Sequence, residues 1–497
     1  MSRAVTTLEK VLVVLVLIAI LASAISAAYI IGLAGIPAKV AELSDTTTKL
    51  VDKIGDLVAA EKELAGIVAG LGKEIGAYKE RIEAIEERIA AVEEAIKPPT
   101  LPRAELTFWH YWDGTNKMAI EALVAEFNEK HPGIIVKPVY IGWGELLPKL
   151  MAAAAGGEVP EVAIADIVWM PKLVRTGMLV DLSELVKEID YEDFYPELRK
   201  IGVYEGKIYS LPVSTNNLQL FYNKDIFRAA GLDPEKPPTT WDELVEIAKK
   251  CTDPEKGIWG MELYTGVGEG LTWQFQVYLW QAGGEFLTPD LKKAAFNSPA
   301  GKRALQFWVD LIHKHKVSPL APWGLFAAGK AAMVMDGSWM VGAYRPGGWA
   351  EVPFDWGTAP MPIPSGGEYA TNMGGEQIFI FKTTPEKEAA AWIFVKWLTS
   401  KETQIKWDML TGFMPVRESV AKDDVYLAWV NTTEPRLKPF IEYQRYAHAR
   451  PMVPQYPEIS DAFSEEIQKA LYGKVSVEEA LANAEARVNE ILKGESG

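Results

Sequence analysis

The sequence predicts an α/β protein of two lobes, preceded by a membrane-spanning helix and a coiled-coil stalk. Three observations lead to this prediction. The segment 104–495 alternates short apolar strands with helices, 11–36 contains no charged residue, and 40–97 repeats apolar residues at steps of three and four. With 497 residues, the chain is also too long for one ordinary compact domain.

The N-terminal segment 11–36 is long enough to cross a membrane. Its uncharged run of about 26 residues matches a bilayer core of roughly 30 Å. Arg3 and Lys10 precede it, so the positive-inside rule places 1–10 in the cytoplasm and the later residues outside. A cleaved signal peptide is the alternative, because small residues at 22–24 and 26–28 resemble cleavage sites. No cysteine follows, which excludes a lipoprotein anchor.

The segment 40–97 has the apolar period of a coiled coil. Only Thr47 and Glu61 are polar in its seam, and the 3.5-residue period predicts a left-handed coiled coil about 80 Å long. The seam consists of Leu43, Thr47, Leu50, Ile54, Leu57, Glu61, Leu64, Val68, Leu71, Ile75, Tyr78, Ile82, Ile85, Ile89, Val92 and Ile96. An amphipathic helix folded onto the globular domain is the alternative, since several glycines weaken an isolated rod. The pattern leaves open whether the stalk is monomeric, dimeric or trimeric.

A proline-rich linker at 98–103 separates the stalk from 104–495, where an α/β pattern begins. AELTFWHYW and IIVKPVYIG flank a predicted helix at 116–130, which indicates a strand-helix-strand unit. Helix starts are predicted at Thr240, Ser298 and Pro385 from a capping box and from prolines in the first turn. About 390 residues are too many for one mainly parallel sheet, so we expect two lobes.

Composition excludes several classes of function. The net charge of −16 and the absence of a basic patch argue against nucleic-acid binding. The single cysteine, Cys251, excludes an internal disulfide and a cysteine-built metal site. His313 and His315 are two residues apart and would face different directions on a helix. We therefore predict no metal and no cofactor.

Tryptophan is abundant, with 17 residues, all of them after residue 105. A sugar presents C–H patches that pack on aromatic rings and hydroxyls that need hydrogen-bond partners, so a sugar site combines aromatic and polar residues. Trp112 and Asp113 follow the first predicted strand, where ligands of open α/β sheets lie. Trp143 and Trp273 fit a sugar platform and surface packing equally well. Asp166 ends the apolar strand VAIAD, where a carboxylate has no packing role.

Several ordered blocks then resemble a known family. They include LTFWHYWDG, EVPEVAIADIVWMPKLVRTGMLVDLSEL, GKIYSLPVSTNNLQLFYNKDIFRAAGLDPEKPPTTWDEL, FAAGKAAMVMDGSWM, and the MGGEQ and ARPMVPQYPEISDAF regions. In these blocks the chain resembles the family 1 extracellular solute-binding proteins, which include maltose, trehalose and glycerol-3-phosphate binders. One departure is Glu161, where the family often has aspartate.

The resemblance implies a two-lobed periplasmic-binding-protein fold of type II. It places lobe 1 at about 104–213 and 324–398, and lobe 2 at about 214–323 and 399–495, with the chain crossing near 212–216, 319–323 and 398. It also implies ligand-binding roles for Asp166, Asn216, Ser338, Trp339, Gly375, Glu376 and Arg450. A hinge closure around the ligand would present a surface to ABC permease subunits in the membrane.

Three functions remain open on these grounds. The first is capture of a sugar or oligosaccharide for an ABC importer, with no catalytic residue. The second, on the same fold, is capture of glycerol-3-phosphate or a phosphodiester, for which the arginine fork of Arg450 is suited. The third is a membrane-anchored glycoside hydrolase that would use two carboxylates on a sugar.

Overall fold

The computed structural model describes residues 15–16, 18–20, 22–23, 36–96 and 103–494. Most of the predicted span 11–36 and nearly all of the linker 98–103 therefore lie outside the described residues. Among those described, no helix combines the length and the apolar composition needed to cross a membrane. The chain divides into two compact units, 1–100 and 101–497.

The first unit contains one long helix, α1 (Ile36–Ile96), of 61 residues. It covers almost the whole segment predicted as a stalk. Leu57, Leu64, Ile75 and most other large apolar residues of the predicted seam are exposed on it. The helical prediction is thus confirmed for this segment, and pairing into a coiled coil stays a prediction.

The second unit is built from short strands and helices. In chain order its strands are β1 (Ala104–His110), β2 (Ile134–Tyr140), β3 (Val162–Asp166), β4 (Val203–Tyr204), β5 (Lys207–Ile208), β6 (Ser210–Asn216), β7 (Leu218–Asn223), β8 (Met333–Gly337), β9 (Trp356–Ala359), β10 (Thr371–Ile380) and β11 (Ala447–Ala449). Its helices are α2 (Gly114–Lys130), α3 (Trp143–Gly156), α4 (Met170–Val174), α5 (Pro196–Ile201), α6 (Lys224–Ala229), α7 (Trp241–Cys251), α8 (Glu269–Gln281), α9 (Pro299–Val309), α10 (Trp339–Tyr344), α11 (Pro385–Leu398), α12 (Lys401–Thr411), α13 (Glu418–Ala421), α14 (Asp424–Thr432), α15 (Lys438–Tyr443), α16 (Tyr456–Leu471) and α17 (Val477–Lys493).

Two larger sheets organise these elements. The first has the order β11-β10-β3-β1-β2, with β6 also paired to β10, and the second has the order β8-β7-β9. In the first sheet β1 is parallel to β2 and β3, while β10 is antiparallel to β3 and β6. In the second sheet β7 is antiparallel to both neighbours. The α/β class is as predicted, but among the named strands parallel pairing is limited to β1 with β2 and β3 and to β10 with β11.

The strand pairing moves the expected lobe boundaries. The chain passes from the first sheet to the second between β6 and β7, close to the predicted crossing at 212–216. It returns between β9 and β10, at 360–370, rather than near 319–323, because β8 and β9 pair with β7. The crossing at 398 stays a prediction, because α12 is ion-paired with Glu126 beside the first sheet and is also hydrogen-bonded to Arg345 of the other lobe. Residues 333–359 belong with lobe 2.

Local chemistry explains where several helices begin. The hydroxyls of Thr240, Ser298 and Thr384 accept hydrogen bonds from backbone N–H groups in the first turns of α7, α9 and α11. These caps confirm the three predicted helix starts. Trp308 and Trp407 are completely buried or nearly so, as expected for core residues. Burial also raises the pKa of the Cys251 thiol to about 12, which makes it an unreactive structural residue.

Candidate functional site

A cleft of 440 Å³ lies where the first sheet, the β6–β7 crossing and helices of the second lobe meet. This volume is within the range of small-molecule sites. The lining residues come from strand ends, helix starts and the crossing, which are the places where backbone direction changes and side chains converge. They are Tyr111, Trp112, Asp113, Asn116, Trp143, Asp166, Asn216, Tyr264, Val267, Gly268, Glu269, Gly270, Trp273, Trp339, Gly374, Gly375, Glu376, Phe413 and Arg450.

The structure brings together all but one of the predicted ligand-binding residues. Those that line the cleft are Trp112, Asp113, Trp143, Asp166, Asn216, Trp273, Trp339, Gly375, Glu376 and Arg450. Ser338 does not line it, because its side chain is completely buried just before the start of α10. Its neighbour Trp339 takes the place at the cleft. A ligand-binding role for each lining residue stays a prediction.

Arg450 holds two acidic residues at one side of the cleft. Its Nη2 lies 2.6 Å from Asp166 Oδ1, and its Nη1 lies 2.9 Å from Glu269 Oε1. All three side chains are about nine-tenths buried or more. Glu269 also accepts hydrogen bonds from the hydroxyls of Tyr456, at 3.0 Å, and Ser460, at 2.5 Å. The guanidinium fork is therefore already occupied by carboxylates of the protein.

Glu376 differs from Asp166 and Glu269 in its protonation. It lies opposite Asp166 in the β3–β10 pair, and its Oε1 accepts a hydrogen bond of 3.0 Å from the Tyr111 hydroxyl. Burial, together with the nearby Asp166 carboxylate, raises the pKa of Glu376 to about 8. At neutral pH Glu376 is mostly protonated, so it can both donate and accept hydrogen bonds.

Two tryptophan rings form a flat apolar wall. Trp273 and Trp339 are stacked with centroids 5.5 Å apart and planes 11° from parallel. The Arg450 guanidinium lies 5.5 Å from the Trp273 ring centroid. A side chain at Gly337 would collide with the Trp339 ring, so the glycine before Ser338 allows this ring to fold back. Trp143 also lines the cleft and is 40% exposed.

The glycine pair of β10 is required by strand packing. Gly375 has φ +134°, and a Cβ there would lie 2.3 Å from the Ser214 carbonyl oxygen. A Cβ at Gly374 would lie 2.1 Å from Asn216 Oδ1. Because both glycines also line the cleft, close packing on β6 leaves bare backbone next to the ligand space.

Several buried polar atoms in the cleft have no hydrogen-bond partner among the described residues. The donors are the indole Nε1 of Trp273 and the Nε of Arg450. The acceptors are Oδ1 of Asn116 and Oδ1 of Asn216. Buried polar groups are normally paired, so a mixed set of this kind indicates that a polar ligand supplies the partners.

A second, smaller cavity of 250 Å³ shares lining residues with the cleft. Trp143, Gly268 and Glu269 line both spaces. Beyond them the smaller cavity is lined by residues of α16, including Pro457 and Asp461. The ligand space is therefore longer than the main cleft alone.

Sequence reasoning missed four polar residues of the cleft, namely Tyr111, Asn116, Tyr264 and Glu269. Tyr111 directly follows β1, which ends at His110, so strand alternation gives no direction for its side chain. Glu269 had a usable indication, since it precedes Trp273 by four residues and i, i+4 residues share one face of a helix. Its neighbour Gly268, with φ +108°, begins α8 so that this face points to the cleft.

Comparison with known proteins agrees with this arrangement. The solved cyclic α-maltosyl-1,6-maltose binding protein of Arthrobacter globiformis is 46% identical, with a TM-score of 0.69, covering 78% of this chain and 99% of its own. The maltotriose-binding protein of Pyrococcus abyssi is 26% identical over 64% of this chain and 68% of its own. The sn-glycerol-3-phosphate-binding periplasmic protein of Brucella melitensis is 26% identical over 78% of this chain and 93% of its own.

The family-level comparison is decisive. A family model described as bacterial extracellular solute-binding protein matches residues 111–405, which include most of the cleft, the whole second sheet and β2, β3, β6 and β10 of the first. This confirms the resemblance found in the sequence and the two-lobed α/β fold. Because the match covers more than half of the chain, the protein belongs to the bacterial extracellular solute-binding proteins.

Proposed function

We propose that this protein captures a neutral oligosaccharide in the cleft and delivers it to an ABC permease. Membership of the family already gives the coarser statement, that it is a solute-binding protein for a sugar or a glycerophosphate. The observation that carries the choice of a sugar is the mixed set of unpartnered donors and acceptors beside the stacked pair Trp273 and Trp339. Sugar hydroxyls both donate and accept, and sugar C–H faces pack on aromatic rings.

Charge supports a neutral ligand over a phosphate. Asp166 and Glu269 already occupy the Arg450 fork, so its charge is compensated within the protein. A phosphate group would meet these acidic side chains at short range, and its ionised oxygens supply no donor for the acceptors Asn116 Oδ1 and Asn216 Oδ1.

The size of the cleft and its extension favour an oligosaccharide. The main space of 440 Å³ continues into the cavity of 250 Å³ at Trp143 and Glu269. The names of two relatives, the cyclic α-maltosyl-1,6-maltose binder and the maltotriose binder, refer to glucose oligomers. We therefore take an α-linked gluco-oligosaccharide as the ligand class.

Capture proceeds by hinge closure at the crossing strands. The Thr371 hydroxyl donates to the Leu218 carbonyl at 2.8 Å and accepts from the Leu218 N–H at 3.0 Å, so the two crossings lie side by side. A rotation of one lobe about this pair needs only small changes in a few backbone angles. Closure buries the ligand and creates the surface that the permease recognises.

The same proposal includes a membrane anchor. Residues 11–36 serve as the span, and the stalk keeps the binding domain outside the cell near the permease, which raises the effective concentration of captured ligand. N-terminal sequencing of the protein from the membrane fraction tests this: the anchor requires that 11–36 be retained. A mature chain that starts after residue 28 in the soluble fraction would support cleavage.

The ligand class is tested by differential scanning fluorimetry of the full chain in detergent. A ligand that binds only the native state raises the melting temperature in proportion to RT ln(1 + [L]/Kd). Maltotriose, maltotetraose and cyclic tetrasaccharides should raise it, whereas glycerol-3-phosphate and glycerophosphodiesters should not. A shift with phosphate compounds alone would favour the phosphodiester alternative, and release of shorter sugars would favour the hydrolase.

A further inference from the structure

Helix α1 carries a continuous apolar stripe with an identifiable partner. Along it, large apolar side chains of the seam are exposed by 51% to 69%, for example 56% at Leu43, 66% at Ile75 and 51% at Ile89. Large contiguous apolar surfaces on a soluble segment mark interaction sites. The stripe follows a 3.5-residue period, which is typical of helices that pack side by side in a coiled coil.

The heptad positions favour two parallel strands. The seam places residues at position a that are mostly β-branched, and residues at position d that are mostly leucine. Position a is occupied by Thr47, Ile54, Glu61, Val68, Ile75, Ile82 and Ile89, and position d by Leu43, Leu50, Leu57, Leu64, Leu71, Tyr78 and Ile85. β-Branched residues at a with leucine at d favour a parallel two-stranded coil.

Charges beside the seam fit a second copy of the chain in register. Glu74 and Arg81 occupy position g, and Lys79 and Glu86 occupy position e of the following heptads. In a parallel pair each g residue lies beside e of the next heptad on the other helix, so Glu74 meets the partner's Lys79 and Arg81 meets the partner's Glu86. An antiparallel pair would place g beside g and would lose these contacts. All four side chains are exposed on α1 and available for them.

The glycines of α1 weaken an isolated helix, but they do not prevent packing against a second helix. Gly55, Gly66, Gly70, Gly72 and Gly76 fall at positions b, f, c, e and b, never at a or d, and a Cβ at any of them would meet no atom within 4 Å. No glycine therefore interrupts the row of side chains at positions a and d between 43 and 89.

Glu61 at position a favours a coil of two strands over a coil of three. In two strands a pair of carboxylates at this position keeps access to water at the sides of the seam. In three strands three of them would be enclosed, which is costly without hydrogen-bond partners.

We infer that residues 43–89 form a parallel, in-register, two-stranded coiled coil with a second copy of this chain, so that two binding domains share one stalk. This inference rests on the exposed stripe and its flanking charges. It holds whatever ligand the cleft takes.

Disulfide trapping in the full chain tests direction and register. The natural Cys251 is buried, so a new thiol on α1 reports on its own position. Leu50→Cys and Ile85→Cys, near opposite ends of the seam, should each give disulfide-linked dimers on mild oxidation. Lys62→Cys, at the outward position b, is the matched control and should stay monomeric in denaturing gels. Failure of both seam variants to link to themselves would overturn the parallel arrangement.

A charge exchange tests the e and g contacts and the number of strands. One chain carries Lys79→Glu with Glu86→Arg, and the other carries Glu74→Lys with Arg81→Glu. A homodimer of either double variant would place like charges beside each other, so its dimerisation should be at least tenfold weaker in sedimentation velocity. A mixture of the two double variants restores opposite charges and should form a heterodimer with the wild-type affinity. Equal dimerisation of each variant alone, or a wild-type mass of three chains, would overturn the inference. Ligand-induced thermal shifts should be the same for all these variants, which separates this test from that of the cleft.

Discussion

Asp166 and Glu376 face each other across the antiparallel strands β3 and β10, but they have different partners. Asp166 is ion-paired with Arg450 at 2.6 Å, whereas Glu376 accepts a hydrogen bond from the neutral Tyr111 hydroxyl. Burial and the Asp166 carboxylate raise the pKa of Glu376 to about 8. One acidic position of the cleft is therefore part of a fixed ion pair, and the other is a protonated group that can exchange hydrogen bonds with a ligand.

The pH dependence of stability should change in Glu376→Gln. Because the folded pKa of about 8 lies above the ordinary 4.5, the folded chain keeps a proton that the unfolded chain releases between these values. The free energy of unfolding therefore falls as the pH rises through this interval, by about 1.4 kcal/mol per pH unit from this group. Glutamine removes this dependence. Urea unfolding at pH 5.5 and 7.5 should show the variant gaining about 2 to 3 kcal/mol relative to wild type.

The exposed Glu255→Gln is the control for this measurement and should follow the wild-type pH profile. Parallel profiles for wild type and Glu376→Gln would contradict a protonated Glu376. Ligand affinity at pH 7 should survive in Glu376→Gln within a few-fold, since glutamine also donates and accepts hydrogen bonds.

Arg450→Met should be strongly destabilising as well as inactive in binding. Removal of the guanidinium leaves the buried Asp166 and Glu269 without their cation, and breaking a buried ion pair from one side costs about 3 to 5 kcal/mol. Arg445→Met nearby removes an exposed arginine and should cost less than about 0.5 kcal/mol. Chemical denaturation of both variants compares them directly, and equal stability would disprove the role assigned to Arg450.

Trp273, which belongs to the stacked pair, should contribute more to ligand binding than the exposed Trp143. Trp273→Ala removes half of the stacked wall and should weaken oligosaccharide binding at least tenfold, or by about 1.4 kcal/mol. Trp143 is 40% exposed, so Trp143→Ala should cost less. Isothermal titration calorimetry measures both changes. A larger loss in Trp143→Ala would place the main sugar contact on the other side of the cleft.

Gly375→Ala should destabilise the fold more than an alanine at an open glycine. The new methyl would lie 2.3 Å from the Ser214 carbonyl oxygen and would also force alanine to φ +134°, so a loss of about 2 kcal/mol or more is expected. Gly366 has φ +70° with no atom near its Cβ position, so Gly366→Ala should cost only about 1 kcal/mol. Thermal unfolding of the two variants gives the comparison, and similar melting temperatures would argue against the packing role of Gly375.

The sequence was most informative where local rules and the family resemblance agreed. Asp166 at the end of an apolar strand and Trp112 just after β1 both line the cleft, because strand ends of one sheet edge converge. The helix caps at Thr240 and Ser298 can be predicted from the sequence because capping is a local interaction. The stalk helix followed from its period alone.

What could not be predicted depends on contacts that are distant in sequence. Whether β8 and β9 join the first or the second sheet is decided by pairing with β7, more than one hundred residues earlier, so the lobe boundaries were misplaced. Ser338 and Trp339 are neighbours, yet only the second reaches the cleft, because the missing side chain at Gly337 leaves room for the indole. The ion pair of Glu269 with Arg450 joins residues 181 positions apart, so the sequence gives no local sign of it.

Calorimetric titration of the full chain at pH 7 with maltotetraose, and in parallel with glycerol-3-phosphate, tests the central claim most directly. Capture of a neutral oligosaccharide predicts saturable binding of the sugar with one site per chain, unchanged sugar recovered afterwards, and no heat from the phosphate. Saturable binding of glycerol-3-phosphate with none of the sugar would contradict the claim, because the cleft would then take an anionic ligand although Asp166 and Glu269 already occupy the Arg450 fork.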